Sequence, residues 1–150
     1  MNGRVMKMEE IRELLIMKFD EIQKRIILVL DQLNDAEVNW YPNESSNSIA
    51  NLVVHISGNV NERILNGIQK LEVTRHRDEE FKVLYKTKGE LIQITRLSFK
   101  QIIETVKSMN KEDWFKMQLV RNKERTHLDV LFQCATHFSE HMGQIFILER

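Results

Sequence analysis

His137 and His141 are four residues apart. On an α-helix that spacing turns a side chain by only about 40° around the axis and brings the two to about 5–6 Å. Two imidazoles so placed can share one metal ion, at about 2.0–2.1 Å from each. With His137 set at zero, Val130, Cys134, Phe138, Ile145 and Leu148 fall roughly between 20° and 100° around the helix, and His141 falls among them. The pair therefore faces inward at the edge of an apolar stripe. His55 borders a second such stripe, beside Leu52 and Ile56. Facing helices of a bundle are a common place for metal ligands, and inward imidazoles need partners for their polar nitrogens. Of the remaining histidines, His76 lies amid charges and His127 in the first turn of a helix, and both are expected to face solvent.

Other groups near these positions have weaker claims. His137-Phe138-Ser139-Glu140-His141 spells the H-x-x-E-H string of inverted zinc proteases. Those enzymes are larger mixed folds with a further acidic ligand far downstream, so Glu140 is read as a solvated surface residue. Cys134 shares the inward side, and a lone buried cysteine usually behaves as a small hydrophobe. Asn59 and Arg63 lie one and two turns beyond His55. They are candidates for orienting an anionic substrate, with a hydrogen bond between helices and a salt bridge as the alternatives. Arg77 and Asp78 are expected to brace the exit of the second helix.

Four helices must position these side chains. Ile11, Leu15, Phe19, Ile22, Ile26, Val29, Leu30 and Leu33 keep three- and four-residue steps over Met8 to Leu33. Trp40-Tyr41-Pro42-Asn43 breaks the pattern, because proline disfavours helix in the residue before it. Asn47 or Ser48 caps a second helix running through Ile49, Leu52, Val53, Ile56, Val60, Ile64 and Ile68 to about Leu71. Its interior Gly58 costs about 1 kcal/mol against alanine unless close packing compensates; Gly58 and Gly143 both permit close helix approach. Thr74 to Glu80 reads as a charged connection with Phe81 as an anchor. A third helix spans Thr87 to Met109, with Leu91, Ile94 or Thr95, Phe99, Ile102, Val106 and Met109 inward. The pattern then dissolves around Trp114 to Val120, a short extended piece. Thr126-His127-Leu128-Asp129 has the form of a capping box and starts a fourth helix through Leu131, Ala135, Phe138, Met142, Ile145 and Leu148. No convincing sheet or short-period repeat is present. The packing solution is an all-α four-helix bundle within one domain, residues 1–150.

Composition removes whole classes of function. Lys plus Arg number 22 and Asp plus Glu number 22, so there is no surplus positive charge for general nucleic-acid binding. The longest apolar run, Ile26 to Leu30, is far short of a membrane span. Glu9, Glu10 and Glu13 stand where a signal peptide would be apolar. One cysteine excludes an internal disulfide and fits a reducing compartment, so a cytoplasmic protein is expected.

The segments Ser48 to Asn59 and His137-Phe138-Ser139-Glu140-His141-Met142-Gly143-Gln144-Ile145 resemble the DinB/YfiT-like superfamily of bacterial four-helix proteins. Arg75 to Phe81 is similar to the "RDxEF" stretch of a small, largely uncharacterised branch of it. The resemblance covers nearly the whole chain, and it implies an up-down-down-up bundle and a homodimer. It also implies a divalent metal, often nickel or zinc, held by one histidine of helix two and two of helix four: by position His55, His137 and His141. Three neutral ligands leave such an ion its full double charge and at least one open position, the pattern of a catalytic site. Similar proteins with assigned activities include thiol transferases, so the expected reaction is transfer of a low-molecular-weight thiol such as bacillithiol to a small electrophile. The alternatives are a hydrolase using metal-bound hydroxide, and a stress-linked helical module whose metal is structural or vestigial.

Overall fold

The computed structural model describes residues 7–149. Helix α1 (Met8–Gln32) buries Leu15, Phe19, Ile22, Ile26, Val29 and Leu30, the stripe its spacing predicts. It stops where Leu33 turns extended, and a one-turn helix α2 (Asp35–Val38) follows behind a reciprocal Asn34–Glu37 cap. Helix α3 (Ile49–Val60) opens on a second reciprocal cap: Ser48 Oγ accepts from the Asn51 backbone N–H, and the Asn51 side chain accepts from that of Ser48. Each such cap satisfies backbone donors that a helix start otherwise leaves orphaned. A one-turn helix α4 (Arg77–Glu80) interrupts the following connection. Helix α5 (Lys88–Ser108) is capped by Thr87, and α6 (His127–Glu149) by Thr126 Oγ1, which accepts from the Asp129 backbone N–H.

Four contacts fix how the long helices run. Arg12, early in α1, donates to the carbonyls of Val106 (2.5 Å), Lys107 (3.0 Å) and Met109 (2.6 Å) at the far end of α5, so α1 and α5 are antiparallel. Gln69, beyond the end of α3, bonds Thr105 near the end of α5, so these two run parallel. His55 lies against His141, whereas Asn59 meets Cys134, so α3 and α6 are antiparallel. The result is an up-down-down-up bundle, as expected. In its core Phe138 of α6 packs against Phe19 of α1 and Phe99 of α5, with ring centroids 6.3 and 5.7 Å apart. Among the described residues no helix is long and apolar enough to cross a membrane.

Arg12 is a charged C-terminal cap. Its guanidinium covers the carbonyls that α5 leaves unpaired and lies 5.5 Å from the Trp114 ring centroid. Arg12→Ala is expected to lower the unfolding free energy by about 2 kcal/mol, measured by urea titration. A change within error would show that water replaces the guanidinium without cost.

Three expectations need correction. The second helix does not run regularly to Leu71: after Val60 it widens into a π-helical turn, Asn61–Asn66, and the left-handed Lys70 (φ 59°) lies beyond it. Residues 117–126 form a hairpin, β1 (Met117–Val120) antiparallel to β2 (Lys123–Thr126), and not a single extended piece. Its two-residue turn puts both Arg121 (φ 51°) and Asn122 (φ 65°) in the left-handed region, as the twist of a tight hairpin demands. His127, expected in solvent, is only 3% exposed. Its Nδ1 lies 2.7 Å from Gln118 Oε1, and Gln118 Nε2 donates to the Arg63 carbonyl at 3.1 Å. That network ties the hairpin to the π-turn, and burial, aided by Lys70, pushes the His127 pKa down.

Candidate metal centre

α3 and α6 bring the three histidines to one end of their shared contact. The His55 and His141 ring centroids lie 4.8 Å apart with the rings perpendicular, and those of His141 and His137 lie 6.2 Å apart. His55 is buried, His141 half-buried and His137 exposed, so the cluster runs from the interior to solvent. Burial, reinforced by the neighbouring His55 and His137, outweighs the Gln144 hydrogen bond and lowers the His141 pKa, favouring the neutral imidazole.

The nitrogens are already sorted. His55 Nδ1 lies 2.9 Å from Glu80 Oε1, and His141 Nδ1 lies 2.8 Å from Gln144 Oε1. Each Nδ1–H therefore donates to an oxygen, and each Nε2 keeps its lone pair. Metal-binding histidines characteristically donate their second ring N–H in this way.

Distance provides a test of fit. With a metal–nitrogen bond of about 2.0–2.1 Å, ring centroids lie about 3.2 Å from a shared ion, and two rings at tetrahedral or right angles lie about 4.5–5.2 Å apart. The His55–His141 pair, at 4.8 Å, is within that range; His137, at 6.2 Å from His141, is about 1 Å outside it. Among the described residues no group of three His, Cys, Asp or Glu side chains is already gathered in metal-binding geometry. The donor set fits a divalent transition-metal ion, zinc, nickel, copper or iron, once His137, on the solvent side, turns toward the other two.

Behind His55 stands a buried ion cluster that the sequence reading placed elsewhere. Arg77 and Asp78 are exposed. The bracing is done by Arg75 and Glu80: Arg75 Nε donates to Glu80 Oε2 at 2.9 Å and its Nη2 to Oε1 at 3.0 Å, while Nη1 reaches Glu62 at 2.5 Å. Burial acts to raise the Glu80 pKa, but the hydrogen bonds of His55 and Arg75 and the charge of Arg75 overcome it and hold the carboxyl below its usual range. Asn51 anchors the segment by donating to the carbonyls of Glu80 (2.9 Å) and Lys82 (3.0 Å). Phe81, the expected anchor, lies with its ring centroid 4.9 Å from that of His55.

Asn59 and Arg63 are placed in the contact between α3 and its neighbours. Asn59 is buried and its Oδ1 accepts from the Cys134 thiol at 3.6 Å. Arg63 lies 3.7 Å from Glu62, its side chain only 11% exposed. Cys134 is buried, and burial pushes its pKa up to about 12 against the pull of Arg63. Unfolded, the same thiol ionises near 8.5. Between those values the folded chain keeps a proton that the unfolded chain loses, so stability falls as pH rises from about 8.5 toward 12. Cys134→Ala is expected to flatten that alkaline decline in denaturant titrations. In the folded wild type at pH 8 the thiol should resist aromatic disulfide reagents, reacting only on unfolding. Prompt reaction would contradict the burial. Gly143, expected to permit close approach, has nothing near the place its Cβ would occupy, whereas Gly58 is closely packed.

The chain matches a family described as "Protein of unknown function (DUF1572)" over residues 8–150. No curated protein matches it. It is similar to the crystal structure of a conserved protein from Enterococcus faecalis, with TM-score 0.76 and 20% identity over 97% of each chain. It is also similar to the crystal structure of a DinB-like protein from Bacillus cereus ATCC 10987, with TM-score 0.72 and 15% identity over 89% of this chain and 87% of that one. At such identities the likeness establishes the fold, which is DinB-like.

Proposed function

The chain belongs to the DUF1572 family, whose function is unknown, and from its histidine cluster we propose that it is a metal-dependent enzyme transferring a low-molecular-weight thiol, of the bacillithiol kind, to a small electrophile. His55, His137 and His141 would hold one divalent ion; imidazole suits zinc, nickel, copper or iron alike, and the resemblance points to nickel or zinc. The carrying observation is the perpendicular His55–His141 pair at 4.8 Å, with both Nδ1 atoms committed to oxygen acceptors. Such an ion, held by neutral imidazoles, would supply an undiminished double charge that lowers the pKa of a coordinating thiol. The chain's own residues do the rest. His55 anchors the interior side, His141 stays neutral because it is half-buried, and exposed His137 marks the side from which reactants enter. The thiol comes from outside the protein, since Cys134 is buried, bonded to Asn59 and far from ionising. Thiol transfer is preferred to hydrolysis because the proteins this chain resembles include thiol transferases; Glu80, held by Arg75 and His55, is a base in neither reading.

Elemental analysis of protein purified without an affinity tag is expected to find about one metal per chain. The loaded protein should consume a model electrophile such as a monohalobimane only when bacillithiol is supplied. Turnover without thiol would replace this reading with a hydrolase. Absence of any bound metal after incubation with zinc and nickel would end it. The same proposal includes a homodimer, to be checked by light scattering.

A further inference from the structure

Glu80 makes a contact that a structural ion pair does not need. Arg75 already grips the carboxylate with two parallel bonds, at 2.9 and 3.0 Å, the fork geometry that satisfies a buried carboxylate. Yet Oε1 also reaches His55 Nδ1 at 2.9 Å, and space for the carboxylate is cleared on α3 by Gly58, the one side-chain-free position there. Asn51 holds the Glu80 carbonyl at 2.9 Å and so sets the depth of the segment. Two separate stretches of chain, α3 and the segment Arg75 to Glu80, thus converge to place one oxygen against one ring nitrogen.

That contact decides the tautomer of His55. Two groups face its Nδ1: the Glu80 carboxylate at 2.9 Å, which can only accept, and Arg75 Nη2 at 3.4 Å, which can only donate. A lone pair on Nδ1 would sit against the nearer carboxylate oxygen, so the nearer contact wins and the proton resides on Nδ1. The lone pair is then on Nε2.

We propose that Glu80, locked by Arg75, is the positioning residue of the metal centre: it fixes His55 as the Nδ1–H tautomer and orients the ring so that Nε2 is the ligand. This inference rests on the metal-binding reading above. It assigns the segment Arg75 to Glu80 a part in metal affinity although none of its side chains is a ligand. Loss of such an outer partner typically weakens metal binding by about 10–100-fold.

The test uses the full-length, tag-free protein with Zn²⁺ as the probe. Competition against a chromophoric chelator is expected to show Glu80→Gln binding zinc about 10–100-fold more weakly than wild type, with circular dichroism in EDTA confirming that the variant is folded. Nitrogen NMR of the metal-free wild type is expected to show His55 protonated at Nδ1 and not at Nε2, a signature that a merely structural Glu80 would not impose. Equal zinc affinity in a folded Glu80→Gln protein overturns the inference and leaves the metal site intact. A proton on His55 Nε2 overturns it even where the variant fails to fold. A wild-type protein that binds no zinc overturns instead the reading beneath it.

Discussion

His141→Ala is expected to lower zinc affinity by more than the roughly 10–100-fold that follows loss of an outer partner, while the thermal midpoint of the metal-free protein moves little. The asymmetry comes from where the ring sits. His141 is half-buried on α6 and its only hydrogen bond among the described residues is to Gln144 on the same helix, so the fold depends on it weakly. In the proposed metal site it is central: its ring lies 4.8 Å from that of His55 and 6.2 Å from that of His137. His55→Ala should behave differently. It too abolishes tight binding, but it also takes a hydrogen bond from the buried Glu80, and stability falls without any metal present. Calorimetry of both variants with zinc and in EDTA separates the two effects. Wild-type zinc affinity in His141→Ala would refute the three-histidine site. A loss of stability in EDTA as large as that of His55→Ala would make the ring a structural element instead.

The helices and the histidine positions were readable because both obey the 3.6-residue period. Seven of the eight positions expected to face inward over Met8 to Leu33, from Leu15 on, are buried, and Ser48, one of the two caps offered for the second helix, caps it. What escaped the reading depends on contacts between distant segments. Nothing in the run Arg75 to Glu80 says which cation and which anion turn inward; Asn51, more than twenty residues upstream, selects Glu80 by holding its carbonyl. His127 looked exposed because helix starts usually are, and it is buried because the hairpin folds Gln118 over it. The hairpin itself was hidden by its turn. Arg121-Asn122 lacks the glycine that usually announces two left-handed residues, and Arg121 takes that conformation against its own preference. Gly58 gave an interpretable signal: a glycine inside a helix whose cost must be repaid by something packed against it.

That something is the Glu80 carboxylate, and it makes Gly58→Ala the most informative stability variant. By helix propensity alone the change should gain up to about 1 kcal/mol. The new methyl group, however, would occupy the place of Glu80 Oε2, with Arg75 Nε 3.0 Å away. Glu80 is the movable end of a side chain, but moving it breaks a buried pairing with Arg75 and His55, and uncompensated buried charges cost about 3–5 kcal/mol. The second effect outweighs the first, and Gly58→Ala is expected to destabilise the protein by about 2 kcal/mol or more in urea titrations. The cause can be isolated in a double-mutant cycle. Where Glu80→Ala has already removed the carboxylate, Gly58→Ala should cost nothing and recover the propensity gain, so the sign of its effect reverses. Equal destabilisation in both backgrounds would mean that the methyl group strains the helix itself. Reversal would show that the missing side chain on α3 exists to admit Glu80, and that the approach of the Arg75–Glu80 segment to His55 is built into the backbone of the bundle.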